Sequence, residues 1–140
     1  MDVRQITDPT PDEFAQILML YRNIDKRECT TAAYLEYINL HWQNIGMFVV
    51  EDEGKIVGFL HCEKPGMLSP KTGWIMEAYN TPENGHKTAQ DCLRLAEDWF
   101  RQSGAIRWRL QTQRKRQGFK RAFGCSPSKF ILLEKELTDE

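Results

Sequence analysis

The sequence predicts a mixed α/β domain, with a mostly antiparallel central sheet flanked by helices. Three observations predict it. Strand-like and helix-like segments follow in the order β-α-α-β-β-β-α-β-α-β along 140 residues, a length suited to one domain with one sizeable core. Three consecutive β-rich runs in the middle, joined by turn residues, predict an antiparallel meander. A long amphipathic helix between two later strands then predicts a crossover to a parallel strand.

Each element has its own signal. Val3 to Ile6 opens as a short strand. Thr10, Pro11 and Glu13 form a capping box with proline at the first helical position, and Phe14, Ile17, Leu18, Tyr21 and Ile24 follow at helical spacing. A second helix starts near Thr30 or Thr31, puts Tyr34, Ile38, His41 and Trp42 on one face and ends near Gly46. Phe48 to Val50 and Ile56 to Leu60 make a hairpin around Glu51 to Gly54. Pro65, Gly66, Pro70 and Gly73 punctuate a loop before the strand GWIMEAYN. The clearest helix carries Ala89, Cys92, Leu93, Ala96, Trp99 and Phe100 as one stripe and stops at Gly104. AIRWRLQT alternates, with Ile106, Trp108 and Leu110 opposite Arg107 and Arg109. A short basic helix from Lys115 to Phe123 and a last strand, FILLEKEL, complete the order.

Composition narrows the function classes. At 41% hydrophobic and 28% charged, the chain reads as an ordinary globular protein. No apolar run approaches the roughly 18 residues needed to span a membrane. The first ten residues lack the basic start and apolar stretch of a secretory signal. Cys29, Cys62, Cys92 and Cys125 are widely spaced, which argues against a zinc site and for reduced thiols in a cytoplasmic protein. Net charge is −1, yet Arg101 to Lys129 contains no acidic residue and carries every charge as a cation. Such a segment is a solvated face, an anion site or a nucleic-acid footprint. No recognised nucleic-acid motif accompanies it, so nucleic acid is the least favoured partner.

Three stretches carry a resemblance across nearly the whole chain. They are the hairpin VVEDEGKIVGFL, the core AYNTPENGHKTAQDCLRLAEDWFRQSGAIRWRL and the ending FKRAFGCSPSKFILLEKEL. Together they resemble the GNAT superfamily of acetyl-CoA-dependent N-acetyltransferases. The resemblance implies the GNAT fold, acetyl-CoA as cofactor, an amine as acceptor, direct acetyl transfer and no metal. The small compact form is also similar in style to acetyltransferase-like proteins of bacteriophages. Dimers are common in the family, so the resemblance leaves room for a homodimer.

The motifs depart from the family pattern. The family's pyrophosphate loop reads [QR]-x-x-G-x-[GA]. Aligned on Pro82, Gly85 falls at the Arg/Gln position, with Thr88 and Gln90 at the two glycines. In a slipped register, Gly85 is the first glycine and Lys87 stands at the second. Thr and Gln bring a Cβ where backbone should approach phosphate. The helix start still offers free N–H groups and the positive end of its dipole, with His86 and Lys87 adding charge and Thr88 a hydroxyl. The cofactor-binding expectation therefore covers Ala78, Tyr79, Asn80, Gly85, His86, Lys87, Thr88 and Ala89, with Gln113 where the family commonly has asparagine. The competing reading of this stretch is a capped helix start behind a solvated turn.

The resemblance implies a proton acceptor for the amine and a proton donor for the departing thiolate. The family often uses tyrosine as donor, and Lys120 occupies that position. Glu77, His61 and Glu63 lie on the strands that supply bases in the family. Glu77 alternates with neighbouring strand residues, so a solvent-facing role competes. An alternative function follows from the same departures: a GNAT-fold protein without catalysis that binds a protein partner through aromatic residues such as Tyr34, Tyr37, Trp42 and Trp74, most of which also suit a core.

Overall fold

The computed structural model describes residues 1–24, 27, 29–111 and 123–137. Its elements are β1 (Asp2–Ile6), α1 (Pro11–Arg22), α2 (Thr31–His41), β2 (Ile45–Asp52), β3 (Lys55–Glu63), β4 (Thr72–Asn80), α3 (Gly85–Gln102) and β5 (Arg107–Leu110), with short 3-10 turns at Trp42–Asn44 and Pro82–Asn84. The strands form one sheet in the order β1-β2-β3-β4-β5. The first four pair antiparallel, and β5 returns beside β4 in parallel after the α3 crossover. This is the predicted mixed α/β class, with its meander and its crossover.

Local chemistry sets the helix starts. The Thr10 side chain accepts from the Glu13 N–H while the Glu13 carboxylate accepts from the Thr10 N–H, the predicted capping box. Thr30 caps α2 through the Ala33 N–H. Alternation along the strands then splits the core in two. On one face α1 and α2 cover Met47, Val49, Ile56 and Phe59. On the other α3 covers Phe48, Val50, Leu60, Cys62 and Ile75.

Close approach fixes α3 on its face. A Cβ at Gly73 would lie 2.3 Å from the Phe100 ring, and one at Gly46 would lie 2.8 Å from the Trp99 ring. Gly46 was expected to end the second helix. That helix ends at His41 instead, because the chain must already be extended at Ile45 to enter the sheet under Trp99. His41 is correspondingly exposed and lies tilted against Tyr37, with ring centroids 4.5 Å apart. Ile106 precedes β5 and is exposed rather than facing the core with Trp108 and Leu110.

The expected last strand is a second correction. Residues 130–137 have no assigned strand, and Phe130, Ile131, Leu132, Leu133 and Leu137 are exposed. Apolar, β-prone sequence is not enough for a strand. It needs ladder bonds to another strand, and among the described residues no strand bonds to this segment. The expected basic helix falls, except for Phe123, outside the described residues.

Candidate active site

The site begins where β4 leaves β5. The two strands pair only from Thr72 with Arg107 to Ile75 with Leu110. The remainder of β4, Met76 to Asn80, bonds to β3 on one side and has no strand on the other among the described residues. A strand edge of this kind is a place where a ligand can be met by backbone N–H and C=O groups. The β3–β4 register also shifts between His61 and Cys62, so Met76 is an extra residue on β4. Bulges of this kind re-aim side chains beside functional sites. This one turns Glu77 to the face of its direct partner His61, the face covered by α1 and α2, while Ile75 and Ala78 stay in the α3 core. Simple alternation from Trp74 and Met76 misses this, because one inserted residue inverts the parity.

His61 is the centre of a polar group buried on that face. Its side chain is 2% exposed. Nδ1 lies 2.9 Å from the Tyr34 hydroxyl, and Nε2 lies 3.2 Å from Glu63 Oε2. The second contact has poor hydrogen-bond angles, so it is electrostatic and leaves Nε2 without a formal partner. A proton on Nε2 suits the neighbouring carboxylate and leaves Nδ1 to accept from Tyr34. Tyr37 donates to the same Glu63 oxygen at 2.7 Å. Tyr21 stacks on Tyr34 at 4.0 Å.

Burial and charge set the protonation states. Burial pushes Glu63 up, but the contacts from His61 and Tyr37 outweigh it, and the carboxyl is held below its ordinary value. Burial pushes Tyr37 up to about 12, helped by Glu63. Tyr34 rises well above its ordinary value through burial and then the field of Glu77. Tyr21 rises to about 12 for the same two reasons. Glu77 therefore acts electrostatically on the same pocket. The tyrosines are neutral donors around a carboxylate and an imidazole. Burial also raises Cys62 well above the usual thiol value and Cys92 to about 12, so neither supplies a thiolate near neutral pH.

The other side of the cleft is the start of α3. Asn84 does not cap the helix. Its side chain is buried and donates to Val57 O at 3.0 Å and to Asn80 Oδ1 at 2.7 Å, tying the turn to β3 and β4. Asn80 in turn donates to Gly85 O at 3.3 Å. The first amides of α3 are left without a side-chain cap. Gly85 has φ +80, a conformation that favours glycine, and nothing lies within 4 Å of where its Cβ would be. His86 and Lys87 are exposed beside it, Thr88 is half-buried, and Ala89 packs into the core. Tyr79 packs on the α1–α2 side and Ala78 on the α3 side. Open space, uncapped amides and the exposed Lys87 fit a pyrophosphate. Gln113 and Lys120 lie outside the described residues.

The profile of the acetyltransferase (GNAT) family matches residues 12–124. The chain belongs to that family. No curated protein matches the sequence closely. Among solved structures, the aminoglycoside antibiotic 6'-N-acetyltransferase AAC(6')-IG from Acinetobacter haemolyticus superposes with a TM-score of 0.76 at 11% identity, covering 99% of this chain and 100% of that one. AAC(6')-Iy, solved with the bisubstrate analog CoA-S-monomethyl-acetylneamine, gives 0.76 at 13% identity over 98% of both chains. A ribosomal-protein-alanine N-acetyltransferase from Brucella melitensis gives 0.72 at 12% identity over 98% of this chain and 100% of that one. At such identities the likeness is one of GNAT fold.

Tyr34, Tyr37 and Asn84 are the site residues that reading for acids and bases passed over. For the tyrosines a signal existed. They sit three residues apart on α2, so their rings share a helix face while their hydroxyls need polar partners once buried.

Proposed function

We propose that this GNAT member is an N-acetyltransferase that moves an acetyl group from acetyl-CoA directly to an amine. One observation carries the reading: the half of β4 that, among the described residues, has a strand only on its β3 side separates an uncapped helix start from the buried His61 with the half-buried Glu63 and Glu77. One side suits a pyrophosphate and the other suits an amine that must lose a proton. Bound acetyl-CoA supplies the activated acyl thioester.

The α3 amides from Gly85 to Thr88 hold the pyrophosphate, with His86 and Lys87 adding positive charge. The edge of β4 from Ala78 to Asn80 aligns the pantetheine arm by backbone bonds, and Gln113 adds a contact. Glu77 accepts the amine proton, directly or through water, and becomes neutral, while the neighbouring His61 fixes the polarity of the pocket around it. Glu63 and Tyr34 hold the imidazole in one orientation and tautomer. Lys120 donates the proton that the departing thiolate requires. The buried thiols Cys62 and Cys92 give no nucleophile for an acyl-enzyme route.

The test is release of free CoA thiol from acetyl-CoA in the presence of a panel of amines: aminoglycosides, polyamines and peptide N-termini. Amine-dependent release that falls in His61→Phe and Glu77→Gln supports the reading. If acetyl-CoA binds but no amine is acetylated, the catalytic assignment is wrong. The partner-binding alternative then takes its place.

A further inference from the structure

The two most exposed large apolar residues among the described residues are neighbours. Met67 is 97% exposed and Leu68 100%. They are the central pair of a tight turn between β3 and β4, closed by a bridge between Gly66 and Ser69 in which the Ser69 N–H donates to Gly66 O at 3.2 Å. The Thr72 N–H then donates to Ser69 O, also at 3.2 Å, so the turn is tied to the start of β4. Central positions of such turns favour glycine, proline, asparagine or aspartate. Methionine and leucine bring no turn chemistry there, and at that exposure they add nothing to the core. Their apolar surface is available to a partner.

Cations stand around this tip. Lys64 and Lys71 bracket the loop and are exposed. The Lys71 carbonyl accepts from the N–H groups of Ile106 at 2.9 Å and Arg107 at 3.3 Å, which brings the start of β5 alongside. Ile106 is 67% exposed, and the exposed Arg107 keeps donors beyond the one it gives to Thr72 Oγ1. Arg101, in the last turn of α3, is balanced by Asp98. Lys64, Lys71 and Arg107 have no ion pair among the described residues. Along the sequence no acidic residue lies between Glu63 and Glu77, or between Asp98 and Glu134. Glu63 is engaged with His61 and Tyr37. This end of the sheet therefore joins an exposed apolar tip to a surface of one sign.

We propose that this end of the domain docks on an anionic lipid bilayer, with Met67 and Leu68 entering the headgroup region and Lys64, Lys71 and Arg107 meeting the headgroup charges. A bilayer fits better than a protein. A specific protein interface needs about 800 Å² from each partner, and two side chains on a narrow turn fall far short of it. A membrane surface needs only a small apolar anchor together with basic residues that see its negative potential. The position suits the proposed function without depending on it. The turn leads into β4 at Thr72, and β4 ends at Asn80 just before the start of α3. At about 3.3 Å per strand residue the tip stands roughly 25 Å from the uncapped helix start, so a docked molecule keeps its cofactor side toward solution.

Sedimentation of the full chain with vesicles tests this. The wild type should pellet with vesicles of phosphatidylcholine mixed with phosphatidylserine, less so at high salt, and far less with phosphatidylcholine alone. Met67→Ser with Leu68→Ser should lower the partition onto the anionic vesicles roughly tenfold or more, because the apolar anchor is lost. Lys64→Ala with Lys71→Ala should weaken low-salt binding by roughly tenfold as well. All four side chains are exposed, so both variants should keep the wild-type circular dichroism spectrum. A wild type that stays in the supernatant with anionic vesicles at low salt overturns the proposal and leaves the turn to a protein partner. So does pelleting that the Met67 and Leu68 substitutions leave unchanged, which would mean charge attraction alone or another apolar segment, such as residues 130–137.

Discussion

The two faces of the sheet are built from alternate residues of the same strands, yet they differ in kind. The α3 face is apolar throughout its buried layer, with Phe48, Leu60, Cys62, Ile75 and Phe100 in contact and two glycines shaved to admit rings. The α1–α2 face holds an apolar layer of similar extent, but His61, Glu63, Tyr34 and Tyr37 are set into it. Setting an imidazole and a half-buried carboxylate where Phe and Leu would fit costs stability unless their polar atoms are well paired, and His61 Nε2 meets Glu63 at 3.2 Å without hydrogen-bond geometry. On the proposed function, one face serves folding and the other retains groups for chemistry. They meet at β4, whose bulge at Met76 sends Ile75 to the first and Glu77 to the second.

This division can be broken from either side. The largest effect is expected on the α3 face. Phe100→Ala should cost about 3–5 kcal/mol of stability, because it empties the space that Gly73 leaves open. Denaturant unfolding measures it, and the activity of the remaining folded protein should be near that of wild type. On the other face His61→Phe should do the reverse. It should lower turnover roughly 100-fold, the low end of what an acid–base group contributes, by disturbing the pocket of the Glu77 base, with a melting temperature close to wild type. A collapse of stability with turnover per folded molecule intact would make His61 a structural residue.

A smaller effect sharpens the account of Glu63. Its folded pKa lies below the ordinary 4.5, so its contribution to stability is fully present above that pH and is lost as pH falls through the folded value. The stability gap between wild type and Glu63→Gln should therefore be constant near neutrality and should close in acid. An acid titration of the melting temperature follows it. A gap that widens in acid would mean that the carboxyl is raised instead. Smallest is Tyr37→Phe, which removes one hydrogen bond to that carboxylate and should cost about 1 kcal/mol. Its signature is an upward shift of the acid limb assigned to Glu63.

The difference between the faces also explains what the sequence made legible. The α3 stripe from Ala89 to Phe100 follows helical period without exception, and period is what sequence displays. The capping box at Thr10 and the meander are local patterns and were equally readable. The site was only half legible. His61 and Glu77 stand out as residue types, and Gly85 as the sole glycine of its turn. Their geometry depends on a bulge, a register and a parallel pairing that stops after Ile75, none of which leaves a local mark. Tyr34 and Tyr37 read as core because their rings are core, and only their hydroxyls belong to the site. The last strand failed for a related reason: FILLEKEL has the composition of a strand, but strand formation is decided by the partner edge.

The most direct measurement is calorimetric titration of acetyl-CoA into the purified protein and into a Lys87→Ala, Thr88→Ala variant. The account predicts micromolar binding to the wild type and clearly weaker binding to the variant, which places the pyrophosphate at the uncapped start of α3. No heat of binding at millimolar acetyl-CoA, or binding equal in both proteins, would contradict it.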